Sequence, residues 1–99
     1  MTDAAAPHES SLRRRYVFHG EVQGVGFRAT AASIARRHPM TGYVRNRADG
    51  TVELVLDGPE RAIEQVLEEL GDAMRRHIDR RDDRECDSDE RFDRFEIRR

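Results

Sequence analysis

The chain contains no lysine and no tryptophan, only one cysteine, and no long apolar run. Each gap removes a class of chemistry. Without lysine there is no Schiff-base amine and no P-loop lysine; all 18 basic residues are arginines. The lone Cys86 cannot form an intrachain disulfide. It stands in a run of charges with no histidine beside it, and reads as a bystander thiol. His8, His19, His38 and His77 are scattered, and no Cys/His cluster has zinc spacing. No metal and no cofactor are therefore expected. The stretch from Met1 to Ser11 lacks the apolar segment of a signal peptide, and nothing later is long enough to span a bilayer. The cytoplasm is the expected compartment, with no membrane partner. A formal net charge of −2 gives no basic field for nucleic acid.

What is present fits one small domain of 99 residues, 36% apolar and 38% charged, with the apolar residues concentrated between Tyr16 and Met74. Residues 1–12 read as a flexible tail and 13–99 as the domain. Arg13, Arg14 and Arg15 form a solvated lead-in. Arg15 to Val22 predicts a strand, with Tyr16 and Phe18 on the core face. His19 then points outward, with no partner carboxylate evident. Phe27 to Arg37 predicts a helix, because Phe27, Ala31, Ile34 and Ala35 share one face and Pro39 ends it. Thr41 to Asn46 and Thr51 to Leu56 predict two strands joined by a turn through Asp49-Gly50. Pro59 starts a second helix, whose stripe is Ile63, Val66, Leu67, Leu70 and Met74.

The rest is harder to place. Ile78 to Arg84 is highly charged and predicts at most a weak edge strand, where charge discourages further pairing. Phe95 and Ile97 alternate as a short closing strand. The order is β-α-β-β-α-β plus a short C-terminal edge strand. This is the split βαβ, ferredoxin-like α+β arrangement, with an antiparallel sheet and two helices on one face. No apolar stripe remains once the core is assigned, so a monomer is expected.

Gly20 to Arg28, G-E-V-Q-G-V-G-F-R, leaves a strand, turns through three glycines and starts a helix. Glycines permit positive φ, so successive N–H groups can converge. The helix N-terminus adds unpaired N–H groups and partial positive charge. Together they make a cradle for a small anion such as phosphate. Arg28 adds a planar fork suited to two phosphate oxygens. Asn46 is read either as a turn asparagine before Asp-Gly or as a strand-end residue overhanging the cradle.

The segments G-E-V-Q-G-V-G-F-R at 20–28, G-Y-V-R-N at 42–46 and D-G-T-V-E at 49–53 resemble the acylphosphatase family. The similarity runs from about Tyr16 to Leu70, and F-E-I-R at 95–98 resembles that family's closing strand. The resemblance implies hydrolysis of the carboxyl–phosphate bond of a small acyl phosphate. It gives Arg28 the arginine role and Asn46 the water-holding role. The backbone amides of Gln23, Gly24, Val25, Gly26, Phe27 and Arg28 take the phosphate-binding role. The sequence departs from the family at His38-Pro39-Met40, at Tyr43, and at Arg81 and Asp83, where apolar residues are common. The last departure bears on stability more than on catalysis.

Two other readings fail. Gly24 to Ala29 fits G-x-G-x-x-A, but no acid follows at the end of the next strand, as a dinucleotide site requires. An RNA-recognition module shares the element order, but strand three offers Thr51, Glu53 and Val55, and strand one Arg15, Val17 and His19, with no aromatic platform. The alternative that stays open is an acylphosphatase-like module that binds an anion or a partner without turnover.

Overall fold

The computed structural model describes residues 11–99. The elements are β1 (Ser11–Gly20), α1 (Phe27–Ala35), β2 (Thr41–Asn46), β3 (Val52–Pro59), α2 (Glu60–Ala73), β4 (Ile78–Glu85) and β5 (Phe95–Arg98). One sheet runs β4-β1-β3-β2-β5. Its first four strands pair antiparallel, as the element order implies. The fifth pairs parallel with β2, so the sheet is mixed rather than wholly antiparallel. The reason is topological: the chain crosses from β4, at one edge, to the opposite edge before it re-enters the sheet.

Most of the tail expected over 1–12 lies outside the described residues, but Ser11 and Leu12 already belong to β1, opposite Pro59 and Gly58. β1 thus starts earlier than its apolar alternation suggests, because the long β3 offers a partner along its whole length. β1 ends at Gly20, so Val22 belongs to the following loop. α1 stops at Ala35. Arg37 and His38 then donate to Ile34 and Ala35, tightening the chain ahead of Pro39.

The helix-facing side of the sheet carries Tyr16 and Phe18 of β1, Val44 of β2, and Val52, Leu54 and Leu56 of β3. Against these pack Phe27, Ala31, Ile34 and Ala35 of α1 and Ile63, Val66 and Leu70 of α2, with Met74 just beyond. This is the expected two-layer core, formed where the period-2 faces of strands meet the 3.6-period stripes of helices. The charged β4 is indeed an edge. On its helix-facing side Arg81 pairs with Asp83 at 2.7 Å and lies 5.2 Å over the Tyr16 ring, so an ion pair stands where apolar residues were expected.

The opposite side of the sheet is less open than its sequence suggests. Val17, Glu53 and Val55 are each 3% exposed or less. Arginines gather on this side, Arg15 and Arg45 reaching Glu53 while Arg13 and Arg98 lie over the Phe92 and Tyr43 rings. The 86–94 connection also crosses this face: Arg13 donates to the Ser88 carbonyl at 2.7 Å, and the Phe92 ring meets Tyr43 at 5.9 Å. Glu53 sits at the centre and accepts from Arg15 and Arg45, each at 2.5 Å. Burial pushes its carboxyl pKa up, but the two guanidiniums outweigh this and hold it below its ordinary value. Nearby, Asp82 is lowered from 3.8 to about 2 by hydrogen bonds from Arg80 and His19.

A depressed carboxyl pKa stabilises the fold fully above the unfolded-state value and loses that contribution as pH falls through the folded one. The melting temperature is therefore expected to hold from pH 8 to about 5 and to fall steadily between about 4.5 and 2. Arg15→Ala strips Glu53 of one partner and is expected to cost about 1–3 kcal/mol at neutral pH in urea unfolding.

Candidate active site

β1 and α1 are joined by residues 21–26, and both ends of this loop are fastened to the core. Val22 is completely buried, and Phe27 packs on Phe18 with ring centroids 5.0 Å apart. Between these anchors Gly24 and Gly26 take φ of 79° and 81°. A Cβ at either would meet nothing within 4 Å, so backbone conformation rather than space calls for glycine here. Gly26 caps α1, and the first helical bond runs from Thr30 N–H to the Gly26 carbonyl at 3.0 Å. The amides of Phe27, Arg28 and Ala29 therefore have no helical acceptor. Among the described residues those of 23–26 donate to no backbone carbonyl either.

Arg28 lies in the first turn of α1. Its Nη1 donates to the Arg98 carbonyl of β5 at 3.0 Å, which steadies the guanidinium and leaves its other donors free. No carboxylate lies in ion-pair range of Arg28 among the described residues. Asn46 closes β2 on the helix-facing side, two residues beyond the core residue Val44. Its Oδ1 is buried and has no hydrogen-bond partner among the described residues. A buried acceptor left unpaired costs about 1–3 kcal/mol, so such an atom calls for a guest. Gly24, Gly26, Phe27, Arg28 and Asn46 line one cavity of about 240 Å³, joined by Ile97 of β5.

Of the six residues expected to supply cradle amides, Gly24, Gly26, Phe27 and Arg28 line this cavity, whereas Gln23 and Val25 do not. The Gln23 side chain instead donates to the carbonyls of Arg47 and Thr51, at 2.8 and 2.9 Å. It ties the glycine loop to the β2–β3 turn, and so fixes the cradle relative to Asn46. That turn is itself pinned by Asp49, which accepts from the Thr51 hydroxyl at 2.6 Å and its amide at 3.0 Å. Sequence reasoning missed this tether, along with the Arg98 carbonyl and Ile97. All three depend on contacts between distant segments. His19 is half-buried against Asp82 at 2.9 Å, so it has the partner carboxylate that its sequence neighbourhood lacks, and it lines no part of the cavity.

A wider groove of about 790 Å³ runs between α1 and α2 and meets the cradle only at Ala29. Its main charges are already matched, Arg37 donating to Glu69 at 3.0 Å. Among the described residues no three His, Cys, Asp or Glu side chains come together as a metal site. No helix among them is long and apolar enough to cross a membrane. The arrangement can do one thing well. It offers unpaired loop and helix amides, a guanidinium and one acceptor on a single cavity, donors of the kind that suit a small anion.

Comparison with known proteins points to one family. The acylphosphatase family model matches residues 14–97. An acylphosphatase of Picrophilus torridus is 43% identical over 84 residues, covering 84% of this chain and 98% of the relative. The crystal structure of acylphosphatase from Bacillus subtilis superposes with a TM-score of 0.76 at 32% identity, over 88% of this chain and 98% of that one. An acylphosphatase structure from Coxiella burnetii gives 0.77 at 26% identity, over 92% and 96%. The split βαβ sheet with a glycine loop, Arg28 and Asn46 on one cavity, and a match spanning nearly the whole described chain, lead to one conclusion: the chain belongs to the acylphosphatase family.

Proposed function

We propose that the chain hydrolyses the carboxyl–phosphate bond of a small acyl phosphate, with Arg28 and the amides of residues 23–28 holding the phosphoryl group and Asn46 holding the attacking water. The observation that carries this reading is the buried, unpartnered Oδ1 of Asn46 on the same cavity as Arg28 and the glycine loop. A water donating to that oxygen keeps its lone pairs free to face phosphorus. The acyl–oxygen to phosphorus bond breaks as the water oxygen bonds to phosphorus, the carboxylate leaves, and the water's proton passes to a phosphoryl oxygen. The products are a carboxylate and inorganic phosphate.

No general acid is needed, because the leaving group's conjugate acid has a pKa of about 4. Phosphoryl transfer proceeds through a loose transition state, so positioning and charge stabilisation supply most of the catalysis. A monomer is the proposed working unit. The cytoplasm is the proposed compartment, in keeping with one free thiol, Cys86.

The test is hydrolysis of acetyl phosphate by the purified protein, followed as carboxylate and phosphate release. Turnover well above buffer is expected. It should be unchanged by a strong chelator and vary less than about twofold between pH 6 and 8, since no histidine among the described residues borders the cavity. A rate equal to buffer would make the chain a binding module. A bell-shaped profile centred near pH 6.5 would put a histidine into the mechanism.

A further inference from the structure

The described residues leave two large apolar side chains exposed, Val25 at 36% and Ile97 at 43%. They come from the glycine loop and from β5, the two segments that flank the cavity. Val25 sits between Gly24 and Gly26, the two glycines that line the phosphate cavity, and Ile97 lines that cavity itself. The register explains Ile97. It lies opposite Val44 on the helix-facing side of the sheet, but on the edge strand, where it stays partly uncovered. Exposed apolar groups cost free energy in water and gain it when a ligand covers them.

Resting on the acyl phosphate reading above, we infer that Val25 and Ile97 form an acyl subsite at the mouth of the cradle, selecting substrates whose acyl group is apolar. Charge points the same way. Among the described residues Arg28 is the one ionisable residue lining the cavity, and the phosphoryl group occupies it. An acyl group bearing its own carboxylate finds no free cation there. Arg45 and Arg47 lie on the far side of Asn46, in a separate hollow. Arg45 is already bound to Glu53, and Arg47 lies 4.0 Å from Asp49. They are the rival anchor for an acidic acyl group, and the experiment keeps them apart from the apolar mouth.

The test compares kcat/KM for acetyl, benzoyl and 3-carboxybenzoyl phosphate in the wild type, in Val25→Thr, in Ile97→Thr and in the double variant. Threonine keeps the branched shape and the backbone amide and replaces a methyl or ethyl group with a hydroxyl. The wild type is expected to prefer benzoyl over acetyl phosphate by about tenfold, with the 3-carboxy substrate losing most of that advantage. Each single variant should cut the benzoyl-to-acetyl ratio by about threefold, and the double variant by more. A substitution that merely loosened the fold would lower both rates and leave the ratio unchanged. An equal ratio in all four proteins, or a preference for the 3-carboxy substrate, overturns the inference. The second outcome would move the acyl group to Arg45 and Arg47. If the wild type hydrolyses none of the three, the acyl phosphate reading fails first and takes the subsite with it.

Discussion

Arg28→Ala is expected to lower kcat/KM for acetyl phosphate by about a thousandfold, some 4 kcal/mol, while the protein stays folded. The magnitude follows from what is lost. In the proposed mechanism the guanidinium is a charge-assisted, multi-donor partner for a dianion, and the bond lost within the fold is a single hydrogen bond to the Arg98 carbonyl. Arg28→Lys should recover only part of the activity, because an ammonium cannot both reach that carbonyl and span two phosphoryl oxygens. Steady-state kinetics beside a urea melt checks this. A loss of activity matched by a comparable loss of stability would mean that Arg28 holds the fold rather than the phosphate.

Asn46→Ala should behave differently. We expect kcat to fall about a hundredfold with KM changing less than about threefold, because in the proposed mechanism the amide positions water and does not bind substrate. Stability should change little or rise slightly, since the substitution removes a buried acceptor that has no partner. The combination of lower kcat, steady KM and no loss of stability identifies a residue kept for its reaction. Unchanged kcat would remove Asn46 from the mechanism.

Much of the architecture was legible because its causes are local. β2 spans Thr41–Asn46 as the sequence pattern predicts, and α2 follows its apolar stripe with Pro59 immediately before it. The glycine loop could be read as an anion cradle because positive φ and a helix N-terminus are written into G-V-G-F-R. What could not be read depended on tertiary neighbours. β4 is charged at nearly every position, and pairing with β1, not its own alternation, makes it a strand. Val55 and Glu53 looked exposed because a sequence does not show arginines folding over a sheet. The parallel placing of β5 required knowing that residues 86–94 cross the sheet.

The same division holds at the site. Arg28 reads as an anion ligand from its type and its place at a helix start, whereas Asn46 reads as a turn asparagine until the family resemblance gives it a role. The cavity they share is set by Gln23 bridging to Arg47 and Thr51 and by β5 offering its Arg98 carbonyl. Each of those contacts joins segments at least 24 residues apart. No local pattern encodes them. The departures at Arg81 and Asp83 are absorbed in the same way, by a cross-face ion pair resting on an aromatic ring.

The most direct measurement is a crystal structure of the protein grown with inorganic phosphate. The account predicts one tetrahedral anion in the cavity between the glycine loop and β5, ringed by main-chain nitrogens of 23–28 at about 2.7–3.1 Å, gripped by the Arg28 guanidinium, and sharing a water with Asn46 Oδ1. Phosphate bound only among surface arginines, with those nitrogens turned from any common centre, would contradict it.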